Sequence, residues 1–146
     1  MESASGSFLY LIKQIELGLR PHLEEAVSLE GMTSGQYTAL TVLERRPGLT
    51  SSELARRSFV RAQTMAETIQ NLTESGLIKR EHDPENRRQY LLFLTPEGKR
   101  VIDALREPVA AVETRLLKYL DSNQKKAFAR YLRACRDALG EVSLRE

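Results

Sequence analysis

The chain has one cysteine, no tryptophan and few aromatic residues of any kind, 6% of 146. A single thiol excludes an internal disulfide framework and fits a reducing compartment. No apolar run approaches the roughly 20 residues needed to cross a bilayer, so a membrane span is excluded. The two histidines, His22 and His82, stand apart from cysteine and from close carboxylate clusters, which leaves no set with metal-ligand spacing. The eight glycines are scattered, and no phosphate-cradling loop, Ser-His-Asp set or Cys-His set can be assembled. No enzyme, cofactor or metal is therefore expected. The start Met1-Glu2-Ser3-Ala4-Ser5-Gly6 lacks the basic opening of a secretory signal, and the expected location is cytoplasmic. An excess of one charge is missing too: 22 Lys and Arg face 20 Asp and Glu, formal net +2, so composition alone does not mark a nucleic-acid binder.

The distribution of charge says more. Glu44 to Arg100 carries 11 basic and 8 acidic side chains, Met1 to Leu43 only 2 against 5, and Val101 to Glu146 9 against 7. The middle of a one-domain chain is thus its most basic part.

That middle has a recognisable order. Thr50-Ser51-Ser52-Glu53 is a capping box opening a short helix that carries Leu54 and Ala55. Arg57-Ser58 follows, and Phe59-Val60 supplies apolar residues to pin a turn. A second helix is predicted from about Arg61 to Ser75, with Met65, Ile69 and Leu72 as its buried stripe and Gln63, Thr64, Glu67, Thr68 and Asn71 available on the remaining surface. Gly76 stands where a left-handed residue ends a helix. The runs Leu77–His82 and Gln89–Leu94 then read as strands flanking a polar loop, Asp83-Pro84-Glu85-Asn86-Arg87-Arg88. Two short helices, a tight turn and a hairpin tipped by Arg87 and Arg88 make a winged helix-turn-helix, a shape suited to a DNA groove. Arg61 stands at the start of the second helix, either as a phosphate contact or as a plain surface arginine.

Outside this unit, Phe8, Leu11, Ile12, Ile15, Leu19, Leu23 and Ala26 predict a long amphipathic first helix. Thr33-Ser34-Gly35-Gln36 is a second capping box, opening a helix that carries Tyr37, Leu40 and Leu43 until Pro47-Gly48. Thr95-Pro96 opens a long segment from Val101 to Leu120 in which Pro108 predicts a kink or break. Asp121 to Gln124 starts a last helix with the stripe Phe128, Tyr131, Leu132, Cys135 and Leu139. The expected class is mainly α with a small β-hairpin (α+β). Residues 1–30 and 101–146 are expected as dimerisation helices around a reading module at 33–100. Broad apolar faces on terminal helices call for a partner at roughly 25 cal/mol per Å², and a twofold homodimer is the simplest one. It would present two recognition helices about 34 Å apart to a pseudo-palindromic operator. A monomer folding both helices onto the module is the competing arrangement.

The passages Leu72-Thr73-Glu74-Ser75-Gly76-Leu77-Ile78, Asp83-Pro84-Glu85-Asn86-Arg87-Arg88 and Leu94-Thr95-Pro96-Glu97-Gly98 resemble the pattern of the MarR family of bacterial transcriptional regulators. The resemblance extends over nearly the whole chain. It implies a dimeric winged-helix regulator of double-stranded DNA, typically a repressor relieved by a small aromatic or phenolic ligand. It places Arg88 as the wing arginine of the minor groove with Arg87 beside it, and Gln63, Thr64 and Glu67 at the start of the recognition helix. The chain departs from the pattern at Glu67, where relatives often carry arginine or another neutral or basic residue, and at Asn86, where they carry an acid bracing the wing arginine. The resemblance also points to a ligand region containing Ile15, His22 and Tyr37, with Tyr37 offering a ring and hydroxyl and His22 an imidazole. Core or surface roles compete for all three. For Cys135 the resemblance places sensing cysteines elsewhere, near the N-terminus, and the expectation is a buried structural thiol on the last helix's apolar stripe. A protein-interaction module that has lost DNA binding is the alternative function.

Overall fold

The computed structural model describes residues 6–140; Met1–Ser5 and the last six residues of the expected 101–146 region lie outside them. Ser7 opens α1 (Phe8–Ser28) by accepting from the Tyr10 amide at 3.1 Å. Gly31, at φ +72°, takes the turn into α2 (Ser34–Arg45). Both bonds of the Thr33/Gln36 box are present there, at 2.9 and 3.1 Å. α3 (Ser51–Arg57) and α4 (Ala62–Glu74) follow, then β1 (Ile78–Asp83) and β2 (Asn86–Leu94), antiparallel partners. α5 (Pro96–Leu116) and α6 (Ser122–Ala138) complete the order, α6 with its Asp121/Gln124 box intact. Among the described residues no helix is long and apolar enough to cross a membrane.

Leu40 and Leu43 of α2, Leu54 of α3, Met65 and Leu72 of α4, Leu92 of β2, and Ile102 and Leu105 of α5 are each under 2% exposed. At roughly 1.5–3 kcal/mol for each side chain fully buried, these eight bind the helix-turn-helix, the hairpin base and the first half of α5 into one body. A further pairing fastens the hairpin: the Leu92 amide donates to the Leu49 carbonyl and the Gly48 amide to the Leu92 carbonyl, both at 2.9 Å. Gly98, in the first turn of α5, lets the helix rest on the chain leaving α4. A Cβ built there would lie 2.2 Å from the Leu77 carbonyl oxygen.

Three expectations need correction. No break occurs at Pro108: α5 is continuous, because Val101, Ile102 and Leu105 on one side and Val109 on the other pack on the same core against a proline cost of roughly 3 kcal/mol. The loop expected at 83–88 contracts to Pro84-Glu85. His82 pairs with Tyr90 but Asp83 with Asn86, so Arg87, Arg88 and Gln89 belong to β2, bulged out of the ladder. Cys135 is exposed, not buried.

The reason for the last point is that α6 has no buried residue at all, and α1 buries only Ala26 and Val27. Phe8 is 83%, Tyr131 61% and Leu139 74% exposed. α6 and the first half of α1 therefore leave their apolar side chains largely uncovered in the single chain, while Leu23 and Val27 of α1 pack on the core.

Candidate nucleic-acid interface

The start of α3 is held by its own side chains. The Thr50 amide donates to Glu53 Oε1 at 3.0 Å, and the Glu53 amide donates to Thr50 Oγ1 at 3.3 Å. The Thr50 hydroxyl donates to the same carboxylate at 2.9 Å, and these bonds hold the Glu53 carboxyl below its ordinary range. The helix lasts seven residues before the turn, where the Val60 amide donates to the Ala55 carbonyl at 3.1 Å.

Phe59 does not pin this turn. Its φ is +60° and its ring is 68% exposed. The position demands the left-handed conformation that a glycine takes without strain, and the chain turns the ring outward, leaving Val60 to pack on the core. α4 begins at Ala62 with Arg61 as its N-cap. Arg61 makes no capping hydrogen bond, so its guanidinium and the first-turn amides remain available to an anion.

Along α4, Met65, Ile69 and Leu72 face the core, while Gln63, Thr64, Glu67 and Asn71 are exposed. Thr68 fits less well among them. It is half-buried and its hydroxyl donates to the Thr64 carbonyl at 3.0 Å, the i−4 bond that threonine makes inside helices.

The wing is shaped by two polar residues at its tip. Asp83 accepts from the Glu85 amide and from Gln89 Nε2, each at 2.9 Å, and those bonds hold its carboxyl below the ordinary range. Asn86 Oδ1 accepts from the Arg88 amide at 3.1 Å. Asn86 thus braces the backbone of the wing arginine, not the guanidinium. Arg87 and Arg88 are exposed, and neither is among the ion pairs of the described residues. On the same hairpin Arg80 lies 5.2 Å from the centre of the Tyr90 ring, and His82 stacks on that ring at 4.5 Å.

A second region lies between α1 and α5. Ile15 and His22 line a hollow of about 220 Å³ with Val112 and Arg115, and His22 and Arg115 also line a neighbouring one of about 340 Å³. Tyr37 lines neither. It is half-buried on α2 against the core, where burial pushes its phenol up and nearby Arg106 opposes the shift.

The MarR family model matches residues 30–89, from the end of α1 to the wing. The HTH-type transcriptional repressor Rv2887 of Mycobacterium tuberculosis is 31% identical over 123 residues, 84% of this chain and 88% of the relative. The chain belongs to the MarR family.

Solved MarR-family structures share the fold. PcaV, a transcriptional regulator of Streptomyces coelicolor in complex with its natural ligand, superimposes with a TM-score of 0.80 at 28% identity, over 95% of this chain and 98% of PcaV. Rv2887 in complex with salicylic acid gives 0.74 at 29% identity, over 89% and 96%. Of the residues read from the sequence, this MarR-family chain brings Arg61, Gln63, Thr64, Glu67 and Asn71 onto α4 and its cap and puts Arg87 and Arg88 on the wing. It joins Ile15 to His22 without Tyr37. Sequence reasoning missed Arg115, Arg80 and Tyr90. Strand alternation was the available signal for Arg80 and His82, two apart on β1 and so on one face. Nothing local marks Arg115, which α1–α5 packing alone brings to His22.

Proposed function

We propose that this MarR-family chain is a homodimeric, sequence-specific DNA-binding transcriptional repressor. In it α4 enters the major groove, and Arg87 and Arg88 meet phosphate or the minor groove beside it. The observation that carries this reading is the exposed polar face of α4 in one body with a wing that presents two exposed arginines in no ion pair among the described residues. Arg61, Gln63, Thr64, Glu67 and Asn71 contact bases or phosphates, and Thr68 contributes through its remaining acceptor capacity. Residues 33–100 form the reading module. Residues 1–30 and 101–146 form the dimer, supported by the exposed Phe8, Tyr131, Leu132 and Leu139, and twofold symmetry matches a pseudo-palindromic site. A small aromatic acid is the effector, supported by the salicylic acid bound to Rv2887. Here Arg115 and His22 supply polar anchors and Ile15 an apolar wall.

The test is a gel shift of the full chain against its own upstream region, with sedimentation to establish the dimer. The wild type is expected to shift specifically and Arg88→Ala to lose about tenfold or more in affinity with unchanged thermal melting. If Arg88 lies on phosphate, removing two arginines per dimer lowers the slope of log K against log salt by about 1.8. An Arg88→Ala protein with wild-type affinity would refute the wing assignment. The second reading, an interaction module without DNA binding, is favoured by the absence of lysine and arginine from α4, and no specific shift at low salt would establish it.

A further inference from the structure

The reading helix has an uncommon charge. Between Ala62 and Glu74 it carries no lysine, arginine or histidine, and it has two glutamates. The buried Met65, Ile69 and Leu72 define its inward side. At 3.6 residues per turn, Glu67 falls almost opposite their centre, with Gln63 one turn before it and Asn71 one turn after. Thr64 lies exposed to one side, in the first turn, and the remaining polar side chains are turned to their own helix: Thr68 to the Thr64 carbonyl, Thr73 to the Ile69 carbonyl, and Gln70 toward Glu74 at 3.5 Å. Glu67 is exposed, with no hydrogen bond or ion pair among the described residues. A lone carboxylate therefore occupies the middle of the surface that faces the bases.

We infer that Glu67 is the specificity-determining residue of α4, accepting from the N4 amino group of one cytosine in each half-site. This rests on the DNA-binding reading above. A carboxylate can only accept, so among base edges in the major groove its partners are the amino groups of cytosine and adenine. Beside the adenine amino group stands the N7 acceptor, which repels a carboxylate; guanine presents acceptors at both N7 and O6, and thymine an acceptor at O4. Cytosine is the one base whose groove edge offers the donor without N7 beside it. The middle of the groove floor, in a groove about 12 Å wide, is also where a carboxylate lies farthest from both rows of phosphates. Cations to offset phosphate charge come from the neighbouring segments instead: Arg61 at the cap, Arg56 and Arg57 in the last turn of α3, and Arg87 and Arg88 on the wing. Gln63 and Asn71, flanking Glu67, are matched to adenine N6 and N7. The half-site is then a C·G pair bordered by A·T pairs, with no guanine read by an arginine of α4.

The experiment selects bound duplexes from a random library with the full-length chain, its Glu67→Gln variant and its Glu67→Ala variant, each checked by thermal melting. The wild type is expected to enrich one cytosine at a fixed place in each half-site. Glu67→Gln should move that preference to adenine, and Glu67→Ala should weaken it about tenfold while the flanking preferences persist. All three proteins should melt together, because Glu67 is exposed and makes no hydrogen bond or ion pair among the described residues. A cytosine preference that survives both substitutions, or a uniform loss across all positions, overturns the assignment while leaving DNA binding in place. A wild type that enriches no sequence overturns the DNA-binding reading itself, and the assignment with it.

Discussion

Replacing Gly98 by alanine tests the junction between wing and α5, and Gly35→Ala serves as its control. In a helix, alanine is favoured over glycine by roughly 0.5–1 kcal/mol, so propensity alone predicts that both variants gain. Their surroundings predict opposite outcomes. At Gly35 the nearest atom to an added Cβ is Thr33 Oγ1 at 4.0 Å, an ordinary contact. At Gly98 the added Cβ meets the Leu77 carbonyl oxygen at 2.2 Å, that carbonyl's carbon at 3.2 Å and Leu94 Cδ2 at 3.2 Å. The first distance is roughly 1 Å inside normal contact. The obstacle is also backbone, and this same carbonyl accepts from the Thr95 amide at 3.1 Å. Relief requires moving the base of the hairpin or the start of α5, an overpacking cost of about 1–3 kcal/mol. Set against the propensity gain, Gly98→Ala should lose roughly 1–2 kcal/mol, whereas Gly35→Ala should gain a few tenths to about 1. Urea unfolding followed by circular dichroism, at one protein concentration because assembly adds to apparent stability, reads both. A Gly98→Ala protein as stable as wild type would refute the close approach.

Phe59→Gly should hold or raise stability by up to about 1 kcal/mol in the same assay. The left-handed conformation costs a residue with a side chain about 1–2 kcal/mol, glycine's extra chain entropy returns about half of that, and a ring 68% exposed gives up little burial; a loss above about 1 kcal/mol would show that the ring packs. Stability should also fall on acidification. Glu24 accepts from the Ser34 hydroxyl and amide at 2.5 and 2.8 Å, and Glu44 from Lys99 at 2.8 Å and from Arg106. These bonds depress both carboxyls in the folded state. The stability they contribute is fully present above the unfolded value near 4.3 and is lost as pH falls through the lower folded values. Urea titrations between pH 7 and 3 should show the decline below about 4.3, less steep in Glu44→Gln; equal acid sensitivity in the two proteins would sink the Glu44 contribution.

Local chemistry was legible in the sequence wherever a local bond decides the structure. The boxes at Thr33, Thr50 and Asp121, the Thr95-Pro96 start and the left-handed Gly76 all form as their spacing predicts. Failures occur where backbone geometry decides against residue type, or where helix packing joins distant segments. The polar run Asp83–Arg88 resembles a loop, but bonds from Gln89 to Asp83 and from the Arg88 amide to Asn86 close the tip with two residues and place the arginines on a bulged strand. Phe59 is apolar and so reads as a core residue, until the turn's backbone forces it outward. The outward face of α4 followed directly from its period. The hollow on α1 did not, since the distance along the chain from His22 to Arg115 hides a neighbour that only helix packing supplies.

That packing gives α5 a double role. Its first turn carries Thr95, which donates to the Gly76 carbonyl at 2.6 Å, and Gly98, which rests on Leu77, so the helix is clamped to the base of the wing. Its last turns carry Val112 and Arg115, which line the hollows shared with α1. Between them Lys99 and Arg106 grip Glu44 of α2, and Arg100 grips Glu30. Exposed pairs of this kind add little stability, but they fix the rotation of α5 against the helix-turn-helix. At 1.5 Å per residue a 21-residue helix spans about 30 Å. Pro108, which removes one rung of its ladder, lies between the ion pairs and Val112. A displacement at Arg115 therefore has a direct route to the wing along α5, and the proline is where that element bends most easily.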